Sequence, residues 1–553
     1  MKDIKYDHYF VRLQETIRRQ WDEPALCNFQ GESITFGEMA RQIARMHLML
    51  QEAGVKKGDH IALCARNTCR WALSYLAITT YEAVVVPLLV DFHADSVMDL
   101  TDHSDAIILF IDREKWETLD IARMPQLRGV VCTEDFSIIH SNDGQLMKAY
   151  ESVDSLFAER YPNGFGPEDV HYNTDNMDDL SIINYTSGSS GDPKGVMLTY
   201  RASSASIDFG QRNIPVRRDD KLVSMLPMAH IYGLTFELLY PICGGCTIYY
   251  LGGRPAPSKL LQAMKEVKPY QVITVPMVME KVYSSSIEPV LGKWYMKVLC
   301  AIPGIGGIIY GKVREKLHAA FGGNIRNFIM GGAPLNPAVE RCFRRMKLNF
   351  TVGYGMTEAA PLLAYEDWRH FELRSCGKAV DRADVRIESP DPANVVGEIQ
   401  AKGDNICIGY YKNETATKAA FTDDGYLHTG DLGLMDRKGN IYIKGRSKCM
   451  ILSANGQNIY PEEIEAILNN EEYVGESIVV ERESNRLYAL VYFDPDKMKS
   501  DGLTSDDLPE MESRLLRDAN KRLPNYSQLY KIEHRDTPFE KTPKMSIKRY
   551  LYK

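Results

Sequence analysis

The chain has 553 residues, of which 44% are hydrophobic and 25% are charged, and its formal net charge is −8 at pH 7. This length predicts several folding units, and the composition is that of an ordinary globular protein. The mild negative charge argues against a general nucleic-acid binder, and the scatter of the 11 cysteines along the chain argues against a disulfide framework or a zinc site.

The N-terminal segment MKDIKYDHYFVRLQETIRRQW is charged throughout, so it predicts no secretory signal. No apolar run reaches the roughly 18 residues that a membrane span needs. The nearest is VLCAIPGIGGIIYG (residues 298–311), which Pro303 and four glycines interrupt. We interpret this run as a buried loop or helix end, with a shallow membrane contact as the alternative. The expected location is the cytoplasm, with peripheral membrane association as a second expectation.

Short, continuously apolar runs predict buried strands along the first half of the chain. They are IALCA (61–65), AVVVPL (83–88), AIILFI (106–111), LVSML (222–226), TIYY (247–250) and QVITV (271–275). Helical patterns lie between them, for example at residues 71–78 and 259–268. This alternation predicts βαβ units and a doubly wound α/β fold.

The last hundred residues differ in pattern. The segment GNIYIKGRSKCMIL from Gly439 alternates as a half-exposed hairpin does, and Pro461 opens a predicted helix with acidic residues in its first turn. Strands are predicted at residues 477–480 and 487–493. We therefore predict a large N-terminal domain over residues 1–446 and a small α+β domain over residues 447–553.

The stretch YTSGSSGDPKGV (residues 185–196) has the composition of a phosphate-binding loop. It differs from a Walker loop, because its glycines are too close together and no Ser or Thr follows the lysine. The residues after the lysine look like a strand, so the loop is expected between two strands. Its predicted phosphate ligands are the backbone N–H groups of the loop, which includes Gly188 and Gly191, together with the hydroxyls of Thr186, Ser187, Ser189 and Ser190 and the charge of Lys194. The alternative is a flexible surface loop with one basic residue.

Five further segments that carry motifs follow this loop along the chain. They are LPMAHIYGL (226–234), GGAPL (331–335), VGYGMTE (352–358), DDGYLHTGDLG (423–433) and GRSKCMILSANGQNIYPEEIE (445–465). Together with TSGSSGDPKG, they resemble the motifs of the adenylate-forming superfamily. That superfamily comprises acyl- and aryl-CoA synthetases, peptide-synthetase adenylation domains and firefly-type luciferases. The resemblance runs from about Phe36 to the C-terminus.

The resemblance implies a β-rich subdomain within the N-terminal domain and a mobile C-terminal domain that turns at Lys448. It also implies that ATP and coenzyme A are substrates and that Mg²⁺ is a cofactor bound by Glu358, with Thr357 at the α-phosphate. His230 would lie beside the acyl site, and Gly456 would lie along the coenzyme A channel. The plainer alternatives are a packed core residue for His230 and a linker lysine for Lys448.

The same resemblance implies an adenine and ribose site. Asp431 would accept hydrogen bonds from the ribose hydroxyls, and Arg446 would contact the ribose and a phosphate. The adenine would lie against the ring of Tyr354, bordered by Gly332, Ala333, Pro334 and Gly355. The alternatives are a buried core tyrosine for Tyr354 and a surface ion pair for Arg446.

The C-terminal segment KTPKMSIKR (residues 541–549) departs from the family pattern. Alignment places Ser546 where the family has its adenylation lysine, and a hydroxyl supplies no positive charge. In an extended segment Lys544, Ser546 and Lys548 would share one face, with neighbours about 7 Å apart. Our hypothesis is that Lys544 or Lys548 substitutes. The competing interpretations are an impaired first step, or a mutation introduced to trap one state.

The segment KPYQVITVPMVMEKVYSSSI (residues 268–287) resembles long-chain fatty acyl-CoA synthetases, and the small residues near Gly332 and Gly355 are expected to leave room for an apolar tail. The predicted activity is therefore ATP-dependent conversion of a fatty acid to an acyl-adenylate and then to acyl-CoA, with AMP and pyrophosphate as products. Fatty acid, ATP and coenzyme A are the expected partners, and no nucleic acid is expected. The alternatives are an acyl-AMP ligase that loads a carrier protein, a luciferase-like oxygenase, and a non-catalytic acyl- or nucleotide-binding homologue.

Overall fold

The computed structural model describes residues 5–187, 193–253, 257–452, 458–482, 486–541 and 547–552. The helices up to residue 213 are α1 (Tyr9–Arg19), α2 (Phe36–Glu52), α3 (Cys69–Thr80), α4 (Ala94–His103), α5 (Arg113–Trp116), α6 (Gln145–Arg160) and α7 (Tyr200–Asn213). The strands of the same region are β1 (Pro24–Asn28), β2 (Ser33–Thr35), β3 (His60–Cys64), β4 (Val84–Pro87), β5 (Ile108–Ile111), β6 (Gly129–Cys132), β7 (Ile138–Ser141), β8 (Leu180–Ser187) and β9 (Pro193–Thr199).

The central sheet has the order β9-β8-β4-β3-β5-β6-β7, and a short strand from later in the chain extends its β9 edge. Strands β8, β4, β3, β5 and β6 run parallel. Alternate residues of β3 pack into different cores: Ile61 and Leu63 join α2 and α3, whereas Ala62 and Cys64 join α4. Helices therefore cover both faces of the sheet, which confirms the predicted doubly wound α/β fold.

A second α/β unit follows. Its strands are β10 (Lys221–Ser224), β11 (Thr247–Tyr250), β12 (Gln271–Thr274), β13 (Asn327–Met330) and β14 (Phe350–Val352). Its helices are α8 (Ile231–Gly233), α9 (Tyr240–Cys243), α10 (Pro257–Val267), α11 (Pro276–Val282), α12 (Glu288–Leu291), α13 (Trp294–Ala301), α14 (Ile305–Ala320) and α15 (Pro337–Arg345). Strands β10 and β11 join β1 and β2 in one sheet, and β12, β13 and β14 form a parallel sheet. All three strands predicted in this region are present.

Residues 354–446 form small, mostly antiparallel sheets, which agrees with the predicted β-rich subdomain. Its elements are β15 (Tyr354–Gly355), β16 (Leu362–Tyr365), β17 (Lys378–Ala379), β18 (Ala383–Glu388), β19 (Gly397–Gly403), β20 (Gly409–Tyr410), α16 (Glu414–Ala420), β21 (Leu427–Met435) and β22 (Ile441–Arg446). Strands β18, β19, β21 and β22 form one sheet. Strand β20 pairs with β9 at the edge of the central sheet.

The C-terminal region is small and α+β, as predicted. After a helical turn at Ser447–Cys449 it contains β23 (Ile451–Leu452), β24 (Asn458–Ile459), α17 (Pro461–Leu468), β25 (Val474–Arg482), β26 (Arg486–Phe493), α18 (Pro495–Ser500), α19 (Leu508–Asn520) and β27 (Leu529–Arg535). Strands β25, β26 and β27 form a sheet, against which α17 and α19 pack around their own apolar core. The division of the chain after residue 446 and the mobility of this region stay predictions.

Residues 298–311 contain helix ends, as predicted, but the prediction that they are buried was wrong. They form the end of α13, a break at Pro303, and the start of α14, and their apolar side chains are largely exposed. The reason is that α13 packs mainly on α14, whereas α14 reaches the core chiefly through its later residues, such as Leu317. Within the described ranges, no single helix is long and apolar enough to cross a membrane, but α13 and α14 together reach that length and hydropathy and are bent by 117°.

Candidate active site

The predicted phosphate loop lies between two antiparallel strands. Strand β8 leads into it and β9 leads out, with Thr186 paired to Lys194. This confirms the expected strand–loop–strand arrangement. Four predicted loop residues lie outside the described residues: Gly188, Ser189, Ser190 and Gly191. For Ser187 the structure gives only the backbone, which pairs with Pro193.

Lys194 and Glu358 meet at the ring of Tyr410. The Lys194 ammonium lies 4.8 Å from the centre of that ring. The Tyr410 hydroxyl donates a hydrogen bond to Glu358 Oε1 at 3.0 Å. Strand β20 places Tyr410 there by pairing it with Val196 of β9. One aromatic side chain therefore connects the predicted phosphate lysine with the predicted metal ligand, and the sequence analysis did not identify it.

Glu358 lies in a helical turn, Thr357–Ala359, directly after β15. The backbone N–H of Cys407 donates to the Glu358 carbonyl at 2.8 Å, and Thr357 is buried. Among the described residues, no group of three or more His, Cys, Asp or Glu side chains could enclose a metal ion. A single carboxylate that shares Tyr410 with Lys194 nevertheless fits Mg²⁺, because this ion is commonly bound by one or two carboxylates and by substrate phosphates.

The Asp431 carboxylate has two side-chain partners, Arg446 and Tyr354. Arg446 Nε lies 2.7 Å from Asp431 Oδ1, and the Tyr354 hydroxyl donates to Asp431 Oδ2 at 2.7 Å. The pairing of β21 with β22 sets Asp431 opposite Arg446. Burial raises the pKa of Asp431, although Arg446 and Tyr354 both favour its charged form. The Asp431 side chain is 6% exposed and that of Arg446 is 61% exposed, so the guanidinium is open to a ligand while the carboxylate is fixed.

The Tyr354 ring is buried in the main core, with its hydroxyl on Asp431. Its role as an adenine-facing residue stays a prediction. At Gly355, a Cβ atom would lie 1.9 Å from the carbonyl oxygen of Pro361, so this glycine permits a close backbone contact. A side chain at position 355 would therefore clash with Pro361, and the expected room for an apolar tail near Gly355 stays a prediction.

The segment that contains Gly332, Ala333 and Pro334 forms a turn before α15. Gly332 has φ +86, a left-handed conformation that favours glycine, and the nearest atom to an added Cβ there is 3.9 Å away. Two interactions fix the end of this turn. The Asn336 side chain accepts a hydrogen bond from the Ala338 N–H at 2.8 Å, and Glu280 Oε1 accepts one from the Asn336 N–H at 2.8 Å. The turn that is predicted to border the adenine therefore has space beside Gly332, and the hydrogen bond from Asn336 to Glu280 holds its end against α11.

His230 lies directly before α8 and is partly exposed, so it is not an ordinary core histidine. It lines a small crevice together with Asn184 and Phe92. The Asn184 side chain donates to the carbonyl of Ala229 at 2.9 Å. This bond ties the histidine segment to β8, the strand that leads into the phosphate loop.

Glu237 is a buried carboxyl that the sequence analysis missed. It accepts hydrogen bonds from the Ser224 hydroxyl at 2.9 Å, from the Leu226 N–H at 2.8 Å and from the Met225 N–H at 3.0 Å. Burial raises its pKa to about 8 against the opposing effect of these donors. It fixes the segment that leads to His230. The available signal was a single acidic residue within the apolar run LTFELL (residues 234–239).

The C-terminal candidates are only partly described. Lys544, Ser546 and Gly456 lie outside the described residues. Lys548 Nζ lies 3.5 Å from Glu540 Oε2, and its backbone N–H donates to the Glu540 carbonyl at 2.8 Å. Lys448 lies in the turn after β22. The structure therefore brings Thr186, Lys194, Tyr354, Glu358, Asp431 and Arg446 into one region of the N-terminal part and keeps Lys548 within the C-terminal fold.

Comparison with known proteins agrees with this arrangement. Residues 13–411 match the family described as AMP-binding enzyme, and residues 449–552 match the AMP-binding enzyme C-terminal domain. Long chain acyl-CoA synthetase 6, peroxisomal, of Arabidopsis thaliana is 28% identical over 86% of this chain and 71% of its own length. The 4-coumarate–CoA ligase 1 of Petroselinum crispum is 26% identical over 84% of this chain and 80% of its own.

Among solved structures, ATP-bound MatB from Rhodopseudomonas palustris superimposes with a TM-score of 0.76 at 22% identity, over 98% of this chain and 97% of that one. This likeness shows that the two proteins share a fold across their whole length. The family match covers most of the chain in both its large and its small part. The chain therefore belongs to the AMP-binding enzyme family, the adenylate-forming enzymes that its sequence motifs resemble.

Proposed function

We propose that the protein is a fatty acid–CoA ligase that forms AMP. In the first step a carboxylate oxygen of the acid attacks the α-phosphorus of ATP, and pyrophosphate leaves. In the second step the thiol of coenzyme A attacks the acyl carbonyl, AMP leaves, and the thiol proton is released. The observation that carries the proposal is the convergence of Lys194 and Glu358 at Tyr410, next to the Asp431–Arg446 pair.

Each group has a chemical task in the first step. Lys194 and the N–H groups of its loop would bind the phosphates that leave, and Asp431 and Arg446 would hold the ribose and position the α-phosphate. Glu358 would bind the Mg²⁺ ion, which supplies charge neutralisation when it is present. His230, fixed through Asn184 and Glu237, would border the carboxylate of the acid. Attack between two anions needs this neutralisation and alignment.

The acid class rests on two supports. The first is the resemblance of residues 268–287 to long-chain synthetases, and the second is a relative whose name is long chain acyl-CoA synthetase. A 4-coumarate–CoA ligase is also among the relatives, so an aryl acid is the competitor. The partly open turn at Gly332 would admit an acyl chain.

A coupled AMP-release assay tests the proposed function. With ATP, Mg²⁺, palmitate and coenzyme A we expect continuous AMP release. Without coenzyme A the AMP group stays in the acyl-adenylate, so AMP release should stop and only about one equivalent of pyrophosphate per enzyme should be released. Substituting 4-coumarate for palmitate is expected to lower kcat/KM by about 10²-fold or more, because a site shaped for an alkyl chain loses most of that contact. Equal rates with both acids would overturn the fatty acid assignment. Release that requires a carrier protein would favour an acyl-AMP ligase, and ATP binding without release would favour a non-catalytic homologue.

A separate experiment asks which residue takes the role of the family's adenylation lysine, since this chain has Ser546 at that position. We expect Lys544→Ala or Lys548→Ala to lower pyrophosphate–ATP exchange by about 10-fold or more, because loss of a charge at the reacting carboxylate removes transition-state stabilisation. Lys541→Ala is the matched control, since Lys541 pairs with Glu476 within the C-terminal fold. Ser546→Lys should restore exchange in the affected variant. Unchanged exchange in both alanine variants of an active enzyme would end the substitution hypothesis.

A further inference from the structure

Helices α13 and α14 form a projecting apolar surface, which we call the α13–α14 hairpin. Trp294 is 77% exposed, Val298 57% and Ile308 64%. The other exposed apolar side chains of the hairpin are Tyr295, Leu299, Ile302 and Ile305. Large contiguous apolar patches are rare on monomeric proteins and mark sites of interaction with a protein or a membrane. This surface is not part of the candidate active site.

The charges around the hairpin are mainly positive, and Glu315 is the one acidic residue within α13 and α14. Residues 289–314 contain Lys293, Lys297, Lys312 and Arg314 and no acidic residue, in a chain whose net charge is −8. The three lysines are exposed. Such a surface attracts anionic lipid headgroups. A symmetric contact between two copies of the hairpin would instead bring like charges together, which disfavours self-association there.

The arrangement of the side chains suits the boundary between water and lipid. The Trp294 and Tyr295 rings lie edge to face with their centres 6.0 Å apart at the start of α13, and these two residue types are enriched at membrane interfaces. Helix α13 has 8 residues, so its length of about 12 Å cannot cross a hydrocarbon core of about 30 Å. The later part of α14 is fixed in the protein through Leu317. The hairpin therefore has the geometry of an element that lies in the interface.

We propose that the α13–α14 hairpin docks the protein on anionic lipid bilayers. Its apolar side chains enter the interface, and Lys293, Lys297 and Lys312 contact the headgroups. The short helical segment Tyr283–Ile287 and α12 separate the hairpin from α11. Glu280 of α11 fixes the turn at Asn336 beside the candidate site. Docking would thus bring the side of the enzyme that carries α11 and the turn at Asn336 close to the lipid phase. The proposal does not depend on which acid the enzyme uses.

The test uses the full-length protein and vesicles of phosphatidylcholine with or without phosphatidylglycerol, with no substrate present. Trp294 is one of 5 tryptophans, and the other four are at least partly buried. Anionic vesicles should therefore shift the fluorescence emission to shorter wavelength, and Trp294→Phe should remove the shift. Co-sedimentation gives the affinity. Replacing Lys293, Lys297 and Lys312 with glutamine should weaken binding by about fivefold for each charge removed.

The apolar contribution has a matched control. Val298→Ser with Ile308→Ser should weaken vesicle binding by about tenfold or more, since it removes apolar groups that would enter the interface. Leu261→Ser with Val395→Ser alters two exposed apolar residues elsewhere and should leave binding unchanged. Equal binding of both double variants would overturn the proposal, as would equal affinity for neutral and anionic vesicles. Dimerisation that Val298→Ser with Ile308→Ser abolishes, without any vesicle binding, would assign the surface to a second copy instead.

Discussion

Glu358→Gln is expected to lower the rate of acyl-adenylate formation by about 10²- to 10³-fold. Glutamine keeps the shape of the side chain and can still accept the Tyr410 hydrogen bond, whose length is 3.0 Å. It lacks the negative charge with which Glu358 would bind Mg²⁺, so the loss should fall on the chemical step and leave folding intact. Pyrophosphate–ATP exchange at saturating fatty acid measures that rate, and thermal unfolding checks the fold.

Two companion variants define the origin of the effect. Glu414→Gln removes the same charge from an exposed position at the start of α16 and should change exchange by no more than about twofold. Tyr410→Phe deletes one hydrogen bond to Glu358 and should cost about tenfold in exchange, with a higher Mg²⁺ concentration needed for half-maximal rate. A Glu358→Gln enzyme with the rate and Mg²⁺ dependence of the wild type would remove Glu358 from the proposed metal site.

Much of the fold could be predicted because the central sheet is covered on both faces. A strand such as β3 then consists almost entirely of apolar residues, and its runs stand out in the sequence. The same reasoning failed at residues 298–311. Apolar composition identifies a segment that avoids water, but it does not say what covers it, and α13 packs mainly on its neighbour α14. Which surface of a protein stays uncovered is a tertiary property.

The candidate site likewise contains some residues that the sequence predicted and others that it could not predict. Glu358, Asp431 and Arg446 could be proposed because each lies in a contiguous motif that resembles a known family. Tyr410 could not, since its contact with Glu358 spans 52 residues and depends on the pairing of β20 with β9. Glu237 could have been suspected from its apolar surroundings, but its backbone partners become visible only when the helix packs against the segment after β10.

Asp431→Ala is expected to lower kcat/KM for ATP by about 10²-fold or more, because two hydrogen bonds from ribose hydroxyls to a carboxylate contribute about 1.5–3 kcal/mol each. The structure adds a second consequence. The hydroxyl of the buried Tyr354 loses its partner at 2.7 Å, so the free energy of unfolding should also fall, by about 1–3 kcal/mol. Arg446 is 61% exposed and can be solvated, so its loss of a partner should matter less for stability.

A substrate analogue separates the two consequences. If Asp431 contacts the ribose, the wild type should prefer ATP to 2′,3′-dideoxy-ATP by about 10²-fold or more, and this preference should nearly vanish in Asp431→Ala. A variant that is merely less stable would lose activity with both nucleotides and keep the ratio. Asp423→Ala, at an exposed aspartate of the preceding turn, should preserve both stability and ratio. An undiminished preference in a folded Asp431→Ala enzyme would show that the carboxylate acts only on Tyr354 and Arg446, and the ribose contact would have to be assigned elsewhere.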